Sequence, residues 1–209
     1  MKLTDRDTEI LKEIDRWRFC LGRHIKILAD FSSQRACDRR LHSLIKANLL
    51  ERKRIIYGIP SVYTLTYRAK RLIGANKRKD KFRLDNIAHD IAVLDTAIYF
   101  VKKFKLPLKY LLTEKQLHSK DGFSIRNHHP DFIFTKDKKT YCVEIELSLK
   151  SKDKLEQNIQ SNFYKYDFQI WFVGSNIPKI IKILNNCKKQ YQNIKILDIQ
   201  EVKYVRKIY

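Results

Sequence analysis

Residues 128–150 (HHPDFIFTKDKKTYCVEIELSLK) limit the fold of this chain more than any other segment, because they place acidic side chains inside an apolar run. The pattern predicts two strands, 132–135 and 140–149, joined by a charged turn. Residues two apart on a strand point to the same face, so Glu144 and Glu146 should share one face while Val, Ile and Leu beside them face a core. Carboxylates in such a strand are costly to desolvate unless a cation or hydrogen bonds compensate them.

A divalent metal ion would supply that compensation. Asp131 opens the first strand and Glu144 lies in the second, so we expect these two to bind Mg²⁺ or Mn²⁺, with Glu146 as a third ligand. Lys150 follows on the same strand parity and would stabilise charge developing on a phosphate. Glu114, which begins a short helix, is a further candidate catalytic acid, although the helix dipole also explains an acid there. Such a set is typical of metal-assisted phosphodiester cleavage.

The charge of the chain indicates a polyanionic partner. Among its 209 residues, 44 Lys and Arg oppose 23 Asp and Glu, a net charge of +21. Residues 1–83 alone hold 22 basic and 9 acidic side chains. Nucleic acid is the commonest large polyanion, and a Lys-rich surface without any such partner is the alternative.

The N-terminal third predicts a winged helix-turn-helix. Thr4 and Asp7 indicate a capped first helix, Gly22 a break, and residues 24–31 a second helix. A third helix at 34–47 has one apolar stripe and one basic face, and β-prone segments at 50–57 and 61–66 would form the wing. Its use for protein contacts alone is the other reading. The residues expected to contact double-stranded DNA, at base edges or phosphates, are Arg35, Arg39, Arg40, Ser43 and Lys46 on the helix and Arg52, Lys53 and Arg54 on the hairpin.

The remainder of the chain predicts an α/β domain. The boundaries are 1–76 for the winged helix, 77–83 for a basic linker and 84–209 for the second domain, giving an α+β or α/β protein. The alternation of strands and helices at its C-terminal end implies some parallel pairing. The elements expected after the linker are helices 84–104, 114–118, 152–166 and 178–191 and strands 132–135, 140–149, 168–173 and 194–199.

The cysteines and the apolar segments exclude several classes of protein. The four cysteines are widely spaced without a CxxC pair, and three of them lie in apolar patterns, so we expect those three to be small core residues and do not expect a zinc site or a disulfide framework. The polar N-terminus predicts no signal peptide, and there is no apolar run of about 18 residues that would cross a membrane. We therefore expect a cytoplasmic protein without a membrane partner.

The motifs of the second domain resemble a known nuclease superfamily. A helix, a strand with Pro130-Asp131, a strand with Glu144-Ile145-Glu146, a helix and a strand are similar to the PD-(D/E)XK restriction-endonuclease-like superfamily. This resemblance implies an αβββαβ core, with Asp131 and Glu144 as metal ligands. The superfamily places Lys two residues after the Glu, where this chain has Glu146. Either Lys150 substitutes for that lysine or the site is inactive.

The wider pattern resembles the replication-relaxation family, which is similar to the MobC-type plasmid mobilisation relaxases. The resemblance implies a DNA-binding protein of a plasmid or integrated mobile element that nicks an origin, with other mobilisation or replication proteins as partners and a homodimer left open. A non-catalytic accessory or regulatory factor with a degenerate nuclease fold is the alternative. The residues that carry the resemblance are TxRD at 4–7, His89 on a later helix, TEKQL at 113–117, PD at 130–131 and VEIELSLKS at 143–151.

Overall fold

A computed structural model describes residues 2–55, 58, 60–76, 86–121 and 127–202, which form helices and two separate β-sheets in a mixed α+β fold. The contacts divide the chain into two compact units, 1–87 and 88–209. The predicted linker at 77–83 lies outside the described residues. Within those residues, no helix is long and apolar enough to cross a membrane.

The N-terminal unit packs short helices against a three-stranded antiparallel sheet of order β1-β3-β2. Apolar residues at helical spacing, such as Leu41 and Leu44, bury one face of each helix. Side-chain caps begin three of the helices, at Thr4, Ser33 and Thr66; the sequence predicts caps at Thr4, at Ser32 or Ser33, and at Thr66. The elements are α1 (Asp5–Trp17), β1 (Cys20–Leu21), α2 (Gly22–Leu28), α3 (Gln34–Lys46), β2 (Leu50–Lys53), β3 (Val62–Leu65) and α4 (Tyr67–Leu72).

Gly22 begins a helix instead of breaking one, which corrects the predicted start at residue 24. The Nδ1 atom of buried His24 accepts a hydrogen bond from Leu21 N at 3.2 Å and so satisfies a backbone donor at the helix start. A Cβ atom at residue 22 would lie 3.2 Å from Gln34 Nε2, so glycine is needed here for close packing against α3. The short strand β1 was not predicted, and α4, for which the sequence predicts residues 67–75, ends at Leu72.

The C-terminal unit contains a five-stranded mixed sheet of order β4-β5-β6-β7-β8. The first three strands pair antiparallel and the last three pair parallel, so the predicted parallel pairing is confirmed. Parallel neighbours require crossover connections, which α7 and α8 provide. The elements are α5 (Ile87–Lys103), a 3₁₀ turn (Leu108–Tyr110), β4 (Leu111–Thr113), α6 (Glu114–Asp121), β5 (Phe132–Lys136), β6 (Lys139–Glu146), α7 (Lys152–Lys165), β7 (Phe168–Val173), α8 (Pro178–Cys187) and β8 (Ile194–Asp198).

Helices cover both faces of this sheet. On one face, Phe100 of α5 packs against Phe132, Phe134 and Phe172, with its ring centroid 4.8 Å from that of Phe134. On the other face, β7 contributes Trp171 to a core that contains residues of α7 and α8. Successive residues of β7 therefore point to opposite helical layers, which explains why all of its residues except Gln169 are apolar.

Three predicted features of this unit are wrong. Strand β6 ends at Glu146, not at residue 149, so Lys150 lies in the connection to α7 and not on the strand. Helix α8 ends at Cys187 and not at residue 191. The helical period of the predicted helix 152–166 places Phe163 toward the core, but Phe163 is 37% exposed, because the buried side of α7 passes through Leu155, Asn158, Ile159 and Asn162.

Candidate functional site

Glu144 and Glu146 lie on one face of β6, as the alternation of the strand predicts. They are 3% and 1% exposed, while Val143 and Ile145 are fully buried on the opposite face. The register pairs Phe132 with Val143, so the hairpin brings Asp131 beside Glu144. We call Asp131, Glu144 and Glu146 the carboxylate cluster.

Glu144 is held by side chains from two other segments. Its Oε1 atom lies 2.8 Å from His128 Nε2 and accepts a hydrogen bond from Asn162 Nδ2 at 2.9 Å. Burial raises the pKa of Glu144, the bond to His128 opposes that rise, and the nearby charge of Asp131 adds to it. A buried carboxylate in such surroundings is maintained at a cost, which is common at functional sites.

Glu146 forms an ion pair with Lys150. Lys150 Nζ lies 2.5 Å from Glu146 Oε1 and its side chain is 32% exposed. Burial raises the pKa of Glu146 to about 7, although Lys150 opposes the rise. Burial alone would lower the pKa of Lys150, but Glu146 outweighs it and the pKa is raised. The structure thus brings Lys150 to the cluster, although by the loop after β6.

Asp131 connects the cluster to α5. Its Oδ2 atom accepts a hydrogen bond from Ile145 N at 2.7 Å, and its Oδ1 atom lies 3.5 Å from His89 Nε2. Burial would lower the pKa of His89, but Asp131 and Asp90 outweigh it and raise the pKa to about 10. His89 is therefore cationic at neutral pH, and its Nε2–H donates to Ile145 O at 3.1 Å.

Glu114 lies at the first position of α6, as predicted. Its backbone N donates to Asp131 O at 3.0 Å, so the start of α6 is fastened next to the cluster. The Glu114 side chain turns to His118, with Oε1 3.6 Å from His118 Nε2. This places the carboxylate of Glu114 beside His118 of the same helix.

Asn162 is a member of the site that sequence reasoning missed as a functional residue. It is fully buried and binds Glu144 through Nδ2, while its Oδ1 atom has no hydrogen-bond partner within the described residues. The signal was present, since a polar residue occupies a core position of α7 in phase with Leu155 and Ile159. His128, in the loop before β5, and His89, on α5, also bind the cluster or its backbone.

The predicted DNA-binding residues divide into exposed and engaged side chains. Arg35, Arg39 and Lys46 are exposed on α3, and Arg52 is exposed on β2. Arg40 is ion-paired with buried Asp7 through Nε and Nη2. The other engaged residues are Ser43, whose Oγ donates to Arg39 O, and Lys53, which is ion-paired with Glu51; Arg54 is exposed and follows β2.

The described residues contain no group of three or more His, Cys, Asp and Glu side chains that could hold a metal ion. The predicted Mg²⁺ or Mn²⁺ site therefore depends on fewer than three protein ligands, and not on Asp131, Glu144 and Glu146 together. Comparison of the chain with known protein families, with curated proteins and with solved structures finds no match. The relationship to the replication-relaxation family thus stays a prediction.

Proposed function

We propose that this protein binds double-stranded DNA through its N-terminal unit and nicks DNA with a metal-dependent site in its C-terminal unit. The observation that carries the catalytic part is the burial of Glu144 and Glu146, both under 4% exposed, beside Asp131 and Lys150. Burial raises the pKa of both glutamates, which a fold without a use for them would avoid.

The N-terminal unit supports the DNA-binding part. Three helices followed by a strand pair that joins β1 in a small sheet are the arrangement expected of a winged helix. Arg35, Arg39 and Lys46 are exposed along α3, and Arg52 is exposed on the first strand of the wing. These cations would neutralise phosphates and give an affinity that falls steeply with salt.

The donor atoms of the cluster fit a hard cation. Carboxylate oxygens of Asp131 and Glu144 are the ligand type that Mg²⁺ prefers, and Mg²⁺ takes only one or two carboxylates beside water and substrate phosphate. The Oδ1 atom of Asn162, which has no hydrogen-bond partner in the described part of the chain, adds a buried oxygen next to Glu144. Asp131 and Glu144 would therefore hold Mg²⁺ or Mn²⁺, with Glu146 nearby. When bound, such an ion polarises the phosphate and lowers the pKa of an attacking water.

The chain's own side chains orient the cluster. Asn162 and His128 fix the carboxylate of Glu144, and Ile145 N fixes that of Asp131. Lys150 is a partly exposed cation paired with Glu146, so it would stabilise negative charge on a scissile phosphate.

A non-catalytic DNA-binding factor is the second candidate, and one observation favours it. Each carboxylate of the cluster already faces a cation or a proton donor of the protein: Lys150 for Glu146, His128 for Glu144 and His89 for Asp131. A cluster neutralised in this way would need no metal ion and would serve the fold. Its partners would then be DNA and other mobilisation or replication proteins.

Nicking of supercoiled DNA separates the two candidates. The substrate is a plasmid carrying the DNA that flanks the gene for this protein, incubated with Mg²⁺ or Mn²⁺. We expect Asp131→Asn and Glu144→Gln to lower the nicking rate by roughly 10²–10³-fold. Asp137→Asn is the matched control, because its side chain is 81% exposed in the hairpin turn. Tight, salt-dependent binding by the wild type without any nicking would favour the second candidate.

A further inference from the structure

An open cleft lies between the start of α1 and the outer face of α3. It has a volume of about 670 Å³ and is lined by Thr4, Asp5, Arg6, Phe31, Ala36, Arg39, Arg40 and Ser43. A cleft of this size is large enough for a small ligand or for part of a polymer. Three of its eight lining side chains are arginines, so the chemistry of the cleft favours an anion.

Arg6 is held in place by an aromatic ring. Its guanidinium carbon lies 5.0 Å from the ring centroid of Phe31, and Phe31 is itself 9% exposed. A cation–π contact of this kind restricts the guanidinium while leaving its N–H groups able to donate. Arg6 is exposed, so those donors are accessible from the cleft.

Arg39 approaches the same cleft from α3. It is exposed, and in the parts of the chain that the structure describes no carboxylate forms an ion pair with Arg39 or with Arg6. The third arginine differs, because the charge of Arg40 is balanced by buried Asp7. Asp5 is the one acid in the lining, so Arg6 and Arg39 leave the cleft with a positive balance.

We propose that this cleft binds a backbone phosphate of DNA, with Arg6 and Arg39 as a pair of guanidinium ligands. Arg39 then contacts a phosphate and does not read a base edge. Two guanidinium forks facing one recess match the several oxygens of a phosphate. A residue that reads bases must instead project into the major groove. This inference rests on the proposed DNA binding and assigns a role to Arg6 that the basic face of α3 does not include.

The test measures the salt dependence of binding by fluorescence anisotropy, on a preferred duplex and on a scrambled duplex. For Arg6→Gln and for Arg39→Gln we expect about ten-fold weaker binding at low salt on both duplexes. Because both guanidinium groups contact one phosphate, the slope of log K against log[salt] should become shallower by about 0.9 in the Arg6→Gln/Arg39→Gln double variant and by a part of that in each single variant. Preference between the duplexes should be unchanged, because phosphate contacts carry no sequence information.

Two control variants sharpen the result. Lys12→Gln removes the same charge from the same helix, but Lys12 is paired with Glu9 and does not line the cleft. We expect it to leave the slope unchanged. Asp5→Asn removes the acid from the cleft and should tighten DNA binding, the opposite effect to the arginine variants. The expected change is two- to five-fold, which is roughly the strength of a surface charge pair.

The outcomes distinguish failure of this inference from failure of the proposed function. A wild type without salt-dependent DNA binding overturns the proposed function. A wild type that binds DNA while Arg6→Gln behaves like Lys12→Gln overturns the phosphate cleft alone. Loss of preference between duplexes in Arg39→Gln, with an unchanged slope, identifies a base-reading residue and also overturns it.

A second arm separates a backbone phosphate from a free phosphorylated compound. Binding of inorganic phosphate and of a deoxynucleoside monophosphate to the full chain is measured by ³¹P NMR. Submillimolar binding that Arg6→Gln abolishes, together with unchanged DNA affinity, would assign the cleft to a small ligand and overturn the backbone contact. If inorganic phosphate and the nucleotide bind only at tens of millimolar, the result supports the backbone contact. A phosphate would then bind well only when the rest of the duplex also contacts the protein.

Discussion

The ion pair between Asp7 and Arg40 is the interaction whose removal should most weaken the N-terminal unit. Asp7 is fully buried, and its carboxylate accepts hydrogen bonds from Thr4 N at 2.7 Å, Thr4 Oγ1 at 2.8 Å and Arg40 Nε at 2.6 Å. Asp7→Asn keeps the shape but removes the charge. Loss of one partner of a buried ion pair costs about 3–5 kcal/mol. Since Arg40 is partly exposed and can recover water, we expect a cost near the lower end, about 3 kcal/mol.

Fluorine NMR of protein labelled with 5-fluorotryptophan measures this cost for the N-terminal unit separately from the C-terminal unit. The chain has two tryptophans, and Trp17 lies in α1 while Trp171 lies in β7. With a urea dependence of about 1.5 kcal/mol/M, a loss of about 3 kcal/mol lowers the unfolding midpoint seen at Trp17 by about 2 M. The matched control is Asp5→Asn, the exposed acid in the same first turn, with an expected cost under about 0.5 kcal/mol.

The same variant predicts how the stability difference depends on pH. Burial raises the pKa of Asp7, but the hydrogen bonds from Arg40 and Thr4 outweigh burial and the pKa lies below its ordinary value. A carboxyl with a lowered folded-state pKa stabilises the fold above its unfolded pKa of about 4 and loses that contribution as the pH falls through the folded value. The gap between wild type and Asp7→Asn should be constant from about pH 6 to 8 and should close in acid below about pH 4. A gap that is independent of pH, or under about 0.5 kcal/mol at pH 7, would refute the reasoning.

Three further predictions concern the C-terminal unit. Burial raises the pKa of Glu146 to about 7 and Lys150 opposes that rise, so Lys150→Met should move the pKa above 7 in a carboxyl ¹³C NMR titration; an unchanged value would contradict the ion pair. Gln169→Leu removes the acceptor of Trp171 Nε1 and should cost about 2–3 kcal/mol in urea unfolding followed at Trp171, whereas a cost under about 1 kcal/mol would show that this bond is dispensable. Lys138 has φ 62° in the hairpin turn, so Lys138→Gly should raise the free energy of unfolding by about 1 kcal/mol in thermal melts, and a lower melting temperature would argue against backbone strain there.

The elements that local patterns specify could be predicted from the sequence. The buried stripe of α3 and the alternation of β6 depend on residues within one helix or strand, so their periodicity predicted both the elements and the faces they bury. The shared face of Glu144 and Glu146 followed from the same rule. Pro178 at the first turn of α8 also followed from local chemistry, because proline lacks the N–H that a helix start leaves unpaired.

The contacts of the site could not be predicted, because they join distant segments. Glu144 binds His128, 16 residues earlier, and Asn162, 18 residues later, and no local period connects these three side chains. The prediction that Gly22 breaks a helix was wrong for a similar reason. The role of Gly22 depends on its close approach to Gln34, which is distant in sequence. Lys150 lies at the predicted site beside Glu146, but it arrives through a loop and not on an extended strand.

The hydrogen bond from Ile145 N to Asp131 Oδ2 joins the end of the β5–β6 pairing to a side chain that we propose as a catalytic metal ligand. The carboxylate stands where the backbone of a longer β5 would otherwise bind, so one side chain both continues the pairing at the open end of the hairpin and faces the cation of His89. Replacing Asp131 with alanine would therefore fray the strand end as well as delete an acid, and a lost activity would have two causes. Asparagine keeps an acceptor for Ile145 N, which makes it the substitution that separates architecture from reactivity.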